Sequence, residues 1–281
     1  MQEIKLFKIK DHTWITNTDI LRTLEQVGAH TCKILCMHTE LSFGMPNPEL
    51  KRSELLKVLF DTIMELGVPT VCVPTFTFSF CNDELYDVKN SSSKMGALNE
   101  YIRKLNIATR SVDPLMSFAL VGNDRGLVED IGHHSAGAHS TFDNLHHRNG
   151  VKFLFFGARL AECFTYIHYV EEREAVPYRY NREFTGTIVN DDKTYQDTYT
   201  LFVRFANVIP LANAKYEMFL LEKNLLKKIP CGDSSIACID EPTAYETIAG
   251  NLQTDIDYFL DQPHPRNNLD PTFKPHKMIA L

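Results

Sequence analysis

A chain of 281 residues, 44% hydrophobic and 23% charged, is long enough to bury a substantial core and is neither disordered nor fibrous in composition. Its formal net charge of −7 excludes a protein whose main work is to neutralise nucleic-acid phosphates, which needs a basic face; an acidic surface suits a cationic substrate better. Seven scattered cysteines with no C-x-x-C pair read as reduced, strand-buried thiols, and charges interrupt every apolar stretch of 1-MQEIKLFKIKDHTW-14, so a cytoplasmic chain without signal peptide or membrane span is expected.

After Thr18, the spacing of Ile20, Leu21, Leu24 and Val27 before Gly28 predicts a helix with a threonine cap and a glycine stop. The run 33-KILCM-37 reads as a buried parallel strand that ends in the polar cluster 38-HTELS-42. A periodic helix over residues 49–67 then leads to a second buried strand, 70-TVCVP-74, and to the loop 75-TFTFSF-80. Such a β-loop-α-β unit sets strand carboxyl ends and their loops on one edge of a sheet, where ligands tend to bind. An exposed loop from Cys81 to Lys94 precedes a helix over 96–105, and 109-TRSVDPLMSFALVG-122 is a turn leading into a strand. A long loop rich in Gly, Asp and His spans 123–139, Ser140 caps a short helix, and 151-VKFLFFG-157 is a further buried strand. The helix 161-AECFTYIHYVEEREA-175 follows, and alternation from Tyr178 to Val208, including 185-TGTIV-189 and 198-TYTLFVRF-205, predicts antiparallel strands. Helical patterns return over 215–229 and 242–260, before an extended Pro-rich tail. No internal repeat and no long linker divides the chain, so residues 1–281 are expected to form one domain.

Three groups of residues could carry chemistry. On the helix around 164-FTYIHYVEE-172, His168 and Glu171 are three apart and share a face, with Thr165 one turn earlier. A carboxylate that accepts one imidazole proton leaves the other nitrogen free as a base. Such a pair arises by chance on many surface helices, but Phe164, Tyr166, Ile167, Tyr169 and Val170 would bury this one. The loops 38-HTELS-42, 75-TFTF-78 and 110-RSVDPLMS-117 offer hydroxyls, backbone donors and an arginine at strand ends, as a phosphate-bearing cofactor needs, although none matches a glycine fingerprint. His133, His134, His139, His146 and His147 cluster without acidic or thiolate partners at metal-ligand spacing, so they read as solvated loop histidines and no metal is expected. The absence of a G-x-S-x-G elbow, and of an evident partner for Cys163, argues against covalent catalysis.

Taken in order, 38-HTELSFG-44, 74-PTFTF-78, 96-GALNEYIRK-104, 110-RSVDPLMSFALVG-122, 140-STFDNL-145, 154-LFFG-157, 164-FTYIHYVEE-172 and 176-VPYRYNREFTG-186 resemble the aminoglycoside 3-N-acetyltransferase family, with similar gaps and over roughly residues 15–260. The resemblance implies a three-layer α/β/α sandwich with a mainly parallel central sheet and a smaller antiparallel β portion, here about 178–210. It implies acetyl-CoA as co-substrate and a small-molecule amine as acceptor, with no nucleic-acid or membrane partner and room for a homodimer. By position, His168 corresponds to the catalytic base and Glu171 to its carboxylate, and Thr77 could meet the oxyanion. His38, Thr39, Thr75, Phe76, Arg110, Ser111 and Ser117 correspond to segments around the CoA thioester and phosphates. Two departures stand out: His38-Thr39-Glu40 where the family usually has His-Ser-Ser, and Asp113 where it usually has a histidine before the proline. Both bear on the acceptor, and they favour an amino sugar, nucleotide-linked forms included, over an antibiotic. A homologue that only binds CoA or a sugar is the alternative of another class.

Overall fold

In the computed structural model, which describes residues 2–211 and 213–273, the first half of the chain folds as β1 (Lys5–Lys8), β2 (Trp14–Thr16), α1 (Asn17–Gln26), β3 (Ile34–Thr39), β4 (Met45–Pro46), α2 (Arg52–Met64) and β5 (Thr70–Pro74). There follow β6 (Tyr86–Asp87), α3 (Ala97–Arg103), β7 (Thr109–Arg110), β8 (Phe118–Gly122), α4 (Gly126–Glu129), α5 (Thr141–His146) and β9 (Val151–Phe156). The remainder comprises α6 (Leu160–Cys163), α7 (Tyr166–Arg173), β10 (Arg179–Asn190), β11 (Lys193–Arg204), α8 (Ala214–Glu222), β12 (Lys227–Cys231), β13 (Ser234–Asp240) and α9 (Glu241–Thr254). The part of the Pro-rich tail beyond residue 273 lies outside the described residues.

The central sheet has seven strands in the order β12-β13-β9-β3-β5-β8-β7. Its strands read as continuous apolar runs because both faces are covered. On one face Leu35, Met37, Val71, Val73, Leu154 and Phe156 pack with Leu24 of α1, Leu59 of α2 and Leu98 of α3. On the other, Cys36, Cys72, Phe153 and Phe155 pack with Phe142 of α5, Ile167 and Val170 of α7 and Ile248 of α9.

The expectation of a mainly parallel sheet is wrong. Only β9–β3 and β3–β5 pair in parallel; β12–β13, β13–β9, β5–β8 and β7–β8 are antiparallel. An apolar run reports burial on two faces and says nothing about direction, whereas the short links 111–117 and 232–233 are too brief for a crossover and force their strands to run back. The second of those hairpins overturns another expectation: the helix read over 215–229 ends at Glu222, and Lys227–Cys231 is an edge strand that tolerates Pro230. At the start of α1 the cap is Thr16 rather than Thr18, in a capping box with Asp19.

The three parallel strands nonetheless end at one edge, and their loops open together there. Glu40 N–H donates to the Phe156 carbonyl, and a Cβ on Gly157 would lie 2.0 Å from the Glu40 carbonyl oxygen. With φ at +71°, that position needs glycine to let the two loops close on each other. Beside this edge stands the long hairpin β10–β11, where the antiparallel portion was expected, with β6 added in parallel. All seven cysteines are free thiols; Cys36, Cys72, Cys81, Cys231 and Cys238 are buried, and Cys32 and Cys163 are partly covered. Among the described residues no helix is long and apolar enough to cross a membrane.

Candidate functional site

The segment expected as one helix over 161–175 is two, broken at Phe164 and Thr165. Phe164 turns inward against Phe153, Phe155 and His38, and a uniform helical period cannot register a break of that size. On α7, Tyr166, Ile167, Tyr169 and Val170 are buried, which fixes the helix face that His168 and Glu171 share. His168 Nδ1 lies 2.7 Å from Glu171 Oε2. The Tyr178 hydroxyl donates to Glu171 Oε1 at 2.9 Å, and Arg179 Nε makes an ion-pair contact with Oε2 at 2.8 Å.

These partners set the electrostatics. Only 3% of the Glu171 side chain is exposed, and burial alone would raise its pKa; the Arg179 guanidinium and the bond from His168 outweigh it and hold the carboxyl at about 2. Glu171 is therefore a carboxylate throughout the working range, and the hydrogen on Nδ1 points at it. The Arg179 Nη2, 3.0 Å from Nδ1, then meets that nitrogen as a like-sign neighbour. Burial first and Arg179 second push the His168 pKa below its ordinary value, against the upward pull of Glu171, so the ring is neutral at pH 7. A third of the side chain stays open, Nε2 has no partner among the described residues, and His168 is one of the residues that line the cleft.

That cleft has a volume of about 1020 Å³ at the edge where β3, β5 and β9 end, closed on the far side by β11. Its walls are apolar at Phe76, Phe78, Met95 and Met116 and polar at His38, Thr39, Thr165, His168, Arg179 and Arg204. Volume and lining suit a mostly apolar arm with a few convergent polar groups. His38 is stacked on Phe155, and burial lowers its pKa to about 4, so it too is neutral. Its Nε2 and the Thr165 hydroxyl are both buried with no partner among the described residues.

The residues chosen from the sequence divide into two groups. His38, Thr39, Phe76 and His168 line the cleft, and Glu171 lies beneath it. Thr75, Thr77, Arg110, Ser111 and Ser117 do not line it; they brace the loops behind it. Ser117 Oγ donates to the Thr75 carbonyl, the Phe118 N–H donates to Ser111 Oγ, and Arg110 donates to the carbonyls of Thr75, Val88 and Ser91 while lying over the Tyr86 ring. A guanidinium engaged in this way is not offered to a CoA phosphate. Thr77 donates its hydroxyl to the Pro114 carbonyl at 2.9 Å, which leaves it no hydrogen for an oxyanion.

Asp113 is likewise a loop brace, accepting from the N–H groups of Leu115 and Met116 and from the Ser135 hydroxyl. Of the clustered histidines, His133, His139 and His147 are exposed, as expected of solvated residues, and His134 and His146 are partly covered. His133 pairs with Asp197, His134 with Glu172, His146 with Glu241 and His147 with Asp143, each with its own carboxylate. Three residues that matter were missed. Tyr178 and Arg179 stand in 176-VPYRYNREFTG-186, directly after the helix, and that position was the available signal. Arg204 reaches the site only through strand register, opposite Arg179, which no local pattern discloses.

The sequence model of the family described as aminoglycoside 3-N-acetyltransferase matches residues 50–253. Among curated proteins none matches the sequence. Among solved structures, an aminoglycoside acetyltransferase AAC(3)-IVa variant in complex with gentamicin is 21% identical, with 94% of each chain covered and a TM-score of 0.70. AAC-IIIb with CoASH is 16% identical over 89% of this chain and 98% of its own, with a TM-score of 0.70. YokD from Bacillus subtilis is 16% identical over 86% and 95%, with a TM-score of 0.71. At such identities the likeness speaks for the fold, and the match over most of the sequence settles the kinship: this chain belongs to the aminoglycoside 3-N-acetyltransferase family.

Proposed function

We propose that this acyltransferase passes the acetyl group of acetyl-CoA directly to the primary amine of an amino sugar, with His168 Nε2 as the general base. Membership of the family makes the chain an N-acetyltransferase that uses acetyl-CoA; the acceptor and the base are the added reading. One observation supports it: a neutral imidazole, held through Nδ1 by a buried carboxylate and with no partner on Nε2 among the described residues, lines a cleft of about 1020 Å³.

In this scheme Nε2 takes a proton from the acceptor's nitrogen as that nitrogen attacks the thioester carbonyl. The C–N bond forms, the C–S bond breaks, and the sulfur leaves with the electron pair as a thiolate that needs little acid help. Glu171 stabilises the imidazolium until it returns its proton to the thiolate or to solvent. Thr77 being engaged elsewhere, His38 Nε2 and Thr165 Oγ1 are the cleft atoms available to the thioester oxygen.

An aminoglycoside acceptor is the second reading, favoured by the fold neighbour solved with gentamicin. Release of CoA thiol measured across a panel of amino sugars and aminoglycosides decides between them. Replacement of His168 by Asn should abolish turnover with every acceptor; wild-type rates in that variant would remove the base from the mechanism.

A further inference from the structure

Arg179 and Arg204 stand directly opposite each other in the β10–β11 register, and both line the cleft. Like charges at opposed positions of an antiparallel pair destabilise it unless something neutralises them. Glu171 answers Arg179. Arg204 has no such contact: among the described residues it has no ion pair, its Nη1 is buried without a hydrogen-bond partner, and burial together with Arg179 depresses its pKa against a smaller upward pull from Glu171. The other charges of the cleft wall form no ion pair with it: Arg159 is paired with Glu162, and neither Glu40 nor Lys94 makes an ion-pair contact with Arg204. The base therefore sits within the field of a guanidinium that has no ion-pair partner among the described residues, in a protein whose net charge is −7.

We infer that Arg204 binds an anionic group of the acceptor, a phosphate or carboxylate held within the span of one sugar ring from the amine being acetylated. The inference rests on the transferase reading above and narrows its substrate class to amines that carry a nearby negative charge. The anion belongs to the acceptor and not to CoA for a reason of length. The pantetheine arm has the chain length of about four extended residues, which puts the CoA phosphates roughly 15 Å from the thioester. Arg204 stands opposite Arg179, whose Nη2 is 3.0 Å from Nδ1 of the base that takes the proton of the attacking amine. A guanidinium fork matches two oxygens of a phosphate or carboxylate, and an incoming anion removes the cross-strand repulsion that the free enzyme sustains. A polycationic antibiotic would meet the opposite field.

The test uses the full chain, acetyl-CoA, and three acceptors: glucosamine, glucosamine 6-phosphate and gentamicin, with CoA thiol release as readout. The wild type should favour glucosamine 6-phosphate over glucosamine at least about tenfold in kcat/KM, and Arg204→Gln should shrink that ratio about tenfold through the KM of the phosphate ester. In phosphate-free buffer the Tm of Arg204→Gln should be no lower than that of the wild type, because a repulsion has been removed. Preference for gentamicin or glucosamine, a ratio unmoved by the substitution, a lowered Tm, or a larger effect on the KM of acetyl-CoA than on that of the acceptor would each overturn the inference. If no acceptor turns over, calorimetry separates the two ideas. Failure to bind acetyl-CoA sinks the transferase reading. Binding of glucosamine 6-phosphate that weakens tenfold in Arg204→Gln upholds the anion subsite, and no binding or equal binding refutes it.

Discussion

Glu171→Gln keeps the shape of the side chain and removes its charge. The amide can still accept from His168 Nδ1 and meet the Tyr178 hydroxyl, so the orientation of the ring survives while Arg179 loses its counter-ion. Both partners are well buried, with 3% and 11% of their side chains exposed, and removing one member of such a pair costs 3–5 kcal/mol as a rule. Arg179 opens on the cleft and can recruit water, so the low end, about 3 kcal/mol, applies. A chain of 281 residues unfolds with an entropy of about 0.6 kcal/mol/K, which converts that loss to a fall in Tm of about 5 °C. The catalytic effect is larger. Without the carboxylate the imidazolium is not stabilised, and kcat/KM should fall at least about 100-fold, the lower bound for a working general base. The pH profile identifies the cause: Glu171 pulls the His168 pKa upward, so its loss moves the acid limb of kcat/KM to lower pH, whereas Arg179→Gln moves that limb to higher pH. Thiol-release kinetics across the acid limb, with a thermal melt of each variant, make the measurement. A rate loss with the limb unmoved, or moved upward, in Glu171→Gln would refute the assigned electrostatics.

The other expectations are simpler. Thr77→Val removes a hydroxyl engaged with Pro114 and should cost about 1 kcal/mol of stability while kcat stays within about threefold; a hundredfold fall in kcat would reinstate Thr77 as an oxyanion donor. Arg110→Lys loses a fork that holds three loop carbonyls, so the Tm should drop with little change in the KM of acetyl-CoA, and a tenfold rise in that KM would restore the phosphate-binding reading. Acid should lower the stability of the fold over two pH windows. His38 takes up its proton at about 4 in the fold and near 6.5 when unfolded, so its contribution is complete above 6.5 and fades as the pH falls toward 4, by roughly 3 kcal/mol in all. Glu171, lowered from 4.5 to about 2, contributes fully above 4.5 and loses that contribution as the pH falls toward 2. Urea midpoints followed against pH report both windows, and a midpoint that stays flat down to pH 4 would contradict the first.

What could be read from the sequence was what depends on neighbours along the chain. The runs at 34–39, 70–74 and 151–156 disclosed buried strands, the shared face of His168 and Glu171 disclosed their contact, and the polar loops disclosed the edge where the cleft opens. What could not be read depends on partners far away in sequence. The types of Thr75, Arg110, Ser111 and Ser117 gave them the look of ligand groups, but whether a hydroxyl or guanidinium already serves a carbonyl some forty residues distant, as Ser117 serves Thr75, is a tertiary fact. Strand direction followed from link length rather than from apolar character, and the alignment of Arg204 with Arg179 from the register of a hairpin whose two strands have 12 residues each.

The sulfur atoms of this chain have a practical corollary. Burial holds the Cys32 and Cys231 thiols at about 11 and those of Cys81 and Cys238 at about 12, pushes Cys72 and Cys163 up as well, and leaves Cys36 wholly enclosed. Disulfide exchange runs through the thiolate, and at neutral pH a group with a pKa of about 11 is ionised to about one part in ten thousand. A chromogenic disulfide added to a turnover mixture should therefore react with liberated coenzyme long before it reacts with the folded enzyme. A fast burst of colour from protein alone would signal unfolded chains in the preparation.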